Sequence, residues 1–196
     1  MIKKYLVIIA LLVTMMLSGC GQNPDKFTES SLIFSRKGAV TDVIVEPFGQ
    51  DYYDEEGLNT FFAEKINDFK ASTDSGNVVL SSLDVNKGIA RAVLDFDKAE
   101  TYQSFYNVDC FYGTINDAYD TGYGLNVTLK AVDSSETIKK EDLMNMQKKR
   151  IIILGEQIQV FTKDKIKYTS ANVEVINNKN VRISSDSSGL AYLVLE

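Results

Sequence analysis

Two Lys-Gly turns, Lys37-Gly38 and Lys87-Gly88, constrain this fold more than any other feature, because each stands between two runs of apolar and β-branched residues. Glycine supplies the positive φ that tight hairpins demand. Ser31 to Ser35 with Ala39 to Glu46, and Val78 to Val85 with Ile89 to Phe96, therefore read as two antiparallel hairpins. An acidic residue and an amphipathic stretch follow each hairpin. Asp54 precedes Glu55 and Glu56, and Leu58, Phe61, Phe62, Ile66 and Phe69 recur at helical spacing. The Asp54 carboxylate fits an N-cap, and the two glutamates suit the positive end of the helix dipole. Asp97, with Glu100 three residues on, predicts a second helix opened by a capping box, with Tyr102, Phe105 and Tyr106 on its buried side. The order is ββαββα. Either a duplicated unit or turn chemistry alone yields such a pattern.

Farther along, Val108 to Tyr112 predicts a fifth strand broken by Gly113, and Thr114 with Asp117 caps a short helix ending near Gly122. Leu125 to Val132 alternates as a strand does. Lys139 to Lys149 is a short amphipathic helix whose apolar residues are Leu143, Met144 and Met146. From Arg150 onward six short runs read as strands. This β-rich tail has fewer than 50 residues and is too small to hold a core by itself, so it is expected to pack on what precedes it. The fold class is α+β: antiparallel hairpins covered by helices, then a β-rich C-terminal part.

At the N-terminus, Lys3 and Lys4 precede an apolar run from Leu6 to Leu17, and the chain then reads Leu17-Ser18-Gly19-Cys20. This is the layout of a secretory signal peptide, and its apolar run is short of the roughly 20 residues that a membrane-spanning helix needs. The final four residues resemble the lipobox of bacterial lipoproteins. That resemblance implies cleavage before Cys20, after its thiol has received a diacylglyceryl group, and hence a lipid-anchored protein on the extracytoplasmic face of the cell membrane. Two acyl chains hold stably where one binds only marginally. The chain as a whole resembles the uncharacterised small lipoproteins of Gram-positive anaerobes. Leu80 to Phe96 is similar to the strand-turn-strand core of GerMN-type domains in envelope lipoproteins. Neither resemblance implies an activity. The expected organisation is a signal peptide over 1–19, a lipidated tether over 20–30, an α+β domain over 31–132, and a linking helix with the β-rich part over 133–196. The ten polar residues from Gly21 to Ser30 span at most about 35 Å when stretched, which keeps the folded body near the membrane.

Removing the first 19 of 196 residues leaves 177 and takes the 21 basic residues to 19 against 27 acidic ones, a formal charge of −8. Nucleic acid is thereby an unsuitable partner, since phosphate backbones demand clustered Lys and Arg. Two basic clusters, Lys139-Lys140 and Lys148-Lys149-Arg150, stand at the two ends of one helical stretch. They fit a solvated helix face, with contact to anionic lipid or wall polymer as the alternative. Acylated Cys20 leaves Cys110 as the one free thiol. It lies in an apolar run without a neighbouring base to activate it.

Histidine is absent, which removes Ser-His and Cys-His nucleophilic pairs and the commonest transition-metal ligand. Gly122-Tyr123-Gly124 lacks the third glycine of a dinucleotide loop, and no Gly-Lys-Ser/Thr occurs. No catalytic residue, metal ligand or cofactor is assigned. The densest acidic group surrounds Asp51, Asp54 and Glu55, a weak candidate for glycoside hydrolysis or calcium against the stronger reading as helix-start acids. Seven aromatic residues fall among the 22 positions from Tyr102 to Tyr123. Tyr119 and Tyr123, around the glycine turn, form the candidate binding surface. The functional expectation is a non-catalytic binding or envelope-interaction module, with an envelope protein or wall polymer as candidate partner. The alternatives are a carboxylate-dependent enzyme acting on a glycan, or a small-ligand receptor.

Overall fold

The computed structural model describes residues 26–50, 54–73, 76–184 and 189–196. The expected leader, Cys20 and Asp51 lie outside the described residues. Four helices and thirteen strands make an α+β fold among those described. The first hairpin is β1 (Ser31–Phe34) and β2 (Val40–Pro47), followed by α1 (Glu55–Ser72). The second is β3 (Val78–Asn86) and β4 (Ile89–Phe96), followed by α2 (Ala99–Tyr106). Next come β5 (Cys110–Thr114), α3 (Ile115–Asp120), β6 (Leu129–Ala131), β7 (Thr137–Ile138) and α4 (Lys140–Asn145). The tail supplies β8 (Arg150–Leu154), β9 (Gln159–Thr162), β10 (Ile166–Thr169), β11 (Val173–Asn177), β12 (Asn180–Ile183) and β13 (Ala191–Leu195).

Both expected turns form, with φ of 86° at Gly38 and 72° at Gly88. Asp54 caps α1, its carboxylate accepting from the Gly57 amide at 2.6 Å. The start of α2 differs from expectation. Lys98 is the N-cap and makes no side-chain cap bond, while Asp97 accepts from the Thr101 hydroxyl at 2.6 Å. The helix begins one residue late: the Lys98 carbonyl takes the first helical bonds, from the Thr101 and Tyr102 amides, while the Asp97 amide bonds to Asn77 O. Gly113 does not break β5 either. It pairs with Ile151, and the strand runs on to Thr114, which caps α3 in the expected box with Asp117.

The tail does not form a layer of its own. Its strands divide between two sheets: a seven-stranded one ordered β11-β12-β9-β1-β2-β4-β3 and a six-stranded one ordered β5-β8-β13-β10-β6-β7. The β9 strand lies parallel to β1, with Leu32 opposite Val160 and Ile33 opposite Phe161. Antiparallel pairing holds elsewhere. Because successive strand residues face opposite ways, Leu32, Phe34, Leu94, Phe96, Val160 and Val181 meet Ile152, Leu154, Leu193 and Leu195 in one buried core. Helices α1 and α2 close it through Phe62, Ile66, Phe69, Tyr102 and Phe105. The other face of the six-stranded sheet is covered by α3 and α4, with Ile115, Ala118 and Leu143 packed on Ile151 and Ile153. Phe27 covers the other face of the seven-stranded sheet, against Ile33, Val43 and Phe161.

Candidate functional site

Helix α2 is the element that positions the site, because its two sides face different surroundings. Ala99, Tyr102 and Phe105 are buried, while Glu100 and Gln103 line an open cleft of about 480 Å³. At its end Asn107 adopts a left-handed conformation (φ 56°, ψ 45°), which asparagine tolerates better than most residues. The chain reverses there and brings Asp109 and Cys110 back beside Gln103. The Cys110 amide then donates to Gln103 Oε1 at 3.3 Å.

The opposite wall is the turn after α3. Gly122 takes φ 94°, its amide bonds to Tyr119 O at 3.0 Å, and the Tyr123 amide bonds to Ala118 O at 3.0 Å. That pair of bonds is a Schellman motif, which satisfies the last carbonyls of the helix. It also aims Tyr123 into the cleft, where its hydroxyl donates to Gln103 Oε1 at 3.3 Å and its ring lies 5.2 Å from that of Phe111. The Tyr192 hydroxyl holds the same turn by donating to Gly124 O at 2.8 Å. Gln103 thus accepts from both walls. Burial, and then the negative charges of Asp109 and Glu100, push the Tyr123 phenol upward, so it remains a hydrogen-bond donor at neutral pH.

Tyr119 is placed differently. It is 52% exposed on α3 and does not line this cleft. Asp54 and Glu55 lie at the start of α1, the first as its N-cap and the second exposed in its first turn. Among the described residues, no group of three or more His, Cys, Asp or Glu is arranged to hold a metal ion. Cys110 is fully buried at the back of the cleft. Burial, then the charges of Glu156 and Glu100, push its thiol well up. A protonated, buried thiol is a poor nucleophile.

No protein-family model, curated protein or solved structure matches this chain.

Behind the cleft lies a buried polar layer. Asp42 stands on β2 between Val40 and Ile44, its side chain turned into the core, and it is 4% exposed. The Tyr106 hydroxyl donates to Asp42 Oδ2 at 2.6 Å, and the Tyr102 hydroxyl donates to Glu156 Oε2 at 2.5 Å. Lys65 of α1 sits 4.7 Å above the Tyr106 ring and 4.8 Å above that of Phe105. Burial, opposed by the Tyr106 hydrogen bond, raises Asp42 to about 7. The nearby Glu156 charge adds to the rise and Lys65 lowers it. A carboxyl poised near neutrality can serve acid-base chemistry, but this one lies inside the apolar layer rather than on the cleft wall. The available sequence signal was an acid in an otherwise apolar run. Val43 and Val45 on the other face make that run apolar on both sides, so alternation alone could not assign Asp42 to the core.

Proposed function

We propose that this chain is a lipid-anchored protein of the extracytoplasmic membrane face, held through Cys20, and that its body is a non-catalytic binding module working at the cleft between α2 and the turn after α3. The observation carrying this reading is the convergence of Tyr123 and the Cys110 amide on Gln103 Oε1. It fixes the Tyr123 ring and the Gln103 amide beside one open volume that Glu100 and Asp109 also line. Rings combined with a few fixed polar groups are what small polar ligands and glycan or peptide segments require of a site. Binding is favoured over turnover because the thiol at this site is buried and protonated, and the carboxyl nearest neutrality is sealed in the core. The ligand class expected is a neutral or cationic envelope component, since the cleft carries two exposed carboxylates. Panels of wall-derived glycans and peptides, presented to the detergent-purified full chain, test this reading. Retention of one class by wild type and its loss in Tyr123→Ala and Gln103→Ala support it. Release of cleaved product shows an enzyme instead. Intact-mass measurement of the membrane form tests the anchor, and an unmodified Cys20 would contradict it.

A further inference from the structure

A second open cleft, of about 620 Å³, lies between α4 and the start of β8 and is lined by Met144, Met146, Lys148, Lys149 and Arg150. Its loop is held rigidly. The Lys149 amide closes a turn on Met146 O at 2.8 Å, and the carbonyls of Gln147 and Lys149 accept from Asn116 and Ile115 at 3.1 and 2.9 Å. The backbone carbonyls are thereby turned toward α3, and Lys148 and Lys149 are exposed. Neither lysine has a carboxylate partner among the described residues. Arg150 is fixed by Arg36 O at 2.7 Å, Tyr112 Oη at 3.2 Å and Asp164 at 3.3 Å. Asp164 also pairs with Arg36 at 2.9 Å, so one carboxylate is shared by two guanidiniums and a positive charge is left over. The carboxylate side chain lining the cleft, Glu196, is paired with Lys165. A concentrated positive site on a chain of formal charge −6 is opposite in sign to the molecule as a whole, and a concave site focuses such a field.

We infer that this cleft binds a linear polyanion of phosphate-ester chemistry, with the lysines and Arg150 on the phosphates and the two thioethers against the carbon segments between them. Methionine adapts to irregular apolar contacts of that kind. The cleft also lies away from the place where the chain joins the fold. Met144 and Met146 pack against the outer side of the six-stranded sheet, whereas Phe27 packs on the outer side of the seven-stranded one. With the anchor proposed above, the cleft lies on the side of the fold opposite the tether. A polymer of the surrounding envelope is therefore the occupant, rather than lipid headgroups.

The test uses the full chain in neutral detergent micelles, with a labelled linear poly(glycerol phosphate) as probe. Binding is expected to weaken as salt rises, because phosphate contacts release counterions. Lys148→Gln with Lys149→Gln should reduce affinity at least about tenfold and flatten the salt dependence. The same charge change at Lys130 and Lys179, both exposed and outside the cleft, should leave affinity within about twofold. Equal losses in the two double variants, or no loss in the first, would overturn the assignment. Displacement by phosphatidylglycerol added to the micelles would reassign the site to membrane lipid. Displacement by equimolar inorganic phosphate would show a single-anion site and refute the chain-like ligand. None of these outcomes depends on ligand binding at Tyr123, so the two clefts are tested independently.

Discussion

The Tyr106 hydroxyl donates to Asp42 Oδ2 at 2.6 Å, tying α2 to β2 through a polar contact inside an apolar layer. Burial favours the neutral carboxyl, and Asp42 accordingly titrates at about 7 in the folded chain against an ordinary 3.8. Between those values the folded state binds the proton that the unfolded state has released. Its stabilising contribution is complete below about pH 4 and is lost as pH rises through 7. Wild type should lose about 2–3 kcal/mol of unfolding free energy from this group between pH 5 and pH 8. Asp42→Asn should lose that part of the slope and exceed wild type in stability at pH 8. Urea titrations at the two pH values measure both, and an unchanged slope in the variant would rule out Asp42 as its source.

Tyr106→Phe removes the donor and leaves the Asp42 carboxyl buried. A cost of about 1–3 kcal/mol is expected for an unsatisfied buried group, and it should be larger at pH 8, where the carboxyl is charged. Urea melts of the single variants and of the double variant with Asp42→Asn resolve the coupling. Additive effects would show that the two side chains do not interact.

Adjacent phenylalanines on α1 give a direct test of its orientation. Phe62 is 7% exposed and belongs to the inter-sheet core, whereas Phe61 is 55% exposed. Phe62→Asp should destabilise by several kcal/mol, since a charge would enter an apolar layer. Phe61→Asp should change stability by less than about 0.5 kcal/mol. Denaturant midpoints of the two variants compare them, and similar midpoints would mean that the helix is turned otherwise.

Legibility differed between the local and the long-range parts of the fold. Gly38, Gly88, Asp54 and Thr114 announce turns and caps through chemistry contained within a few residues, and those elements form where the spacing puts them. Asp97 shows how a local signal fails: it satisfies the capping pattern, yet its carboxylate accepts from the Thr101 hydroxyl and the helix is capped by Lys98 instead. Nothing near Ser31 in sequence marks its parallel neighbour Gln159, because parallel pairing has no turn to betray it. Likewise Tyr123 stood out from its glycine turn, whereas its partner Gln103 is an ordinary helix residue until Asn107 reverses the chain toward it.

The division of tail strands has an energetic consequence. The β9 and β12 strands bury Val160 and Val181, and β8 and β13 bury Ile152, Leu154, Leu193 and Leu195 in the same core as Leu32 and Phe96. A chain stopped at residue 132 would leave those inner faces uncovered, exposing apolar surface worth about 25 cal/mol per Å². Such a fragment should show no cooperative thermal transition and should bind a hydrophobic dye. A sharp melt would demonstrate that residues before 133 hold a core unaided.

Gly122 offers the most specific test of how the Tyr123 cleft is built. A Cβ there would meet nothing within 4 Å, but the backbone φ of 94° is one that L side chains rarely adopt. Gly122→Ala should cost about 1 kcal/mol from conformational strain alone. At Gly124 a Cβ also meets nothing, and the backbone lies outside the left-handed region. Gly124→Ala should therefore be neutral or slightly stabilising, because alanine reduces the freedom of the unfolded chain. Relief of strain at position 122 would loosen the two Schellman bonds and with them the aim of Tyr123 at Gln103. Amide exchange at Tyr123 should quicken in Gly122→Ala and stay slow in Gly124→Ala. Equal protection in both variants would show that the left-handed turn does not set the position of the tyrosine.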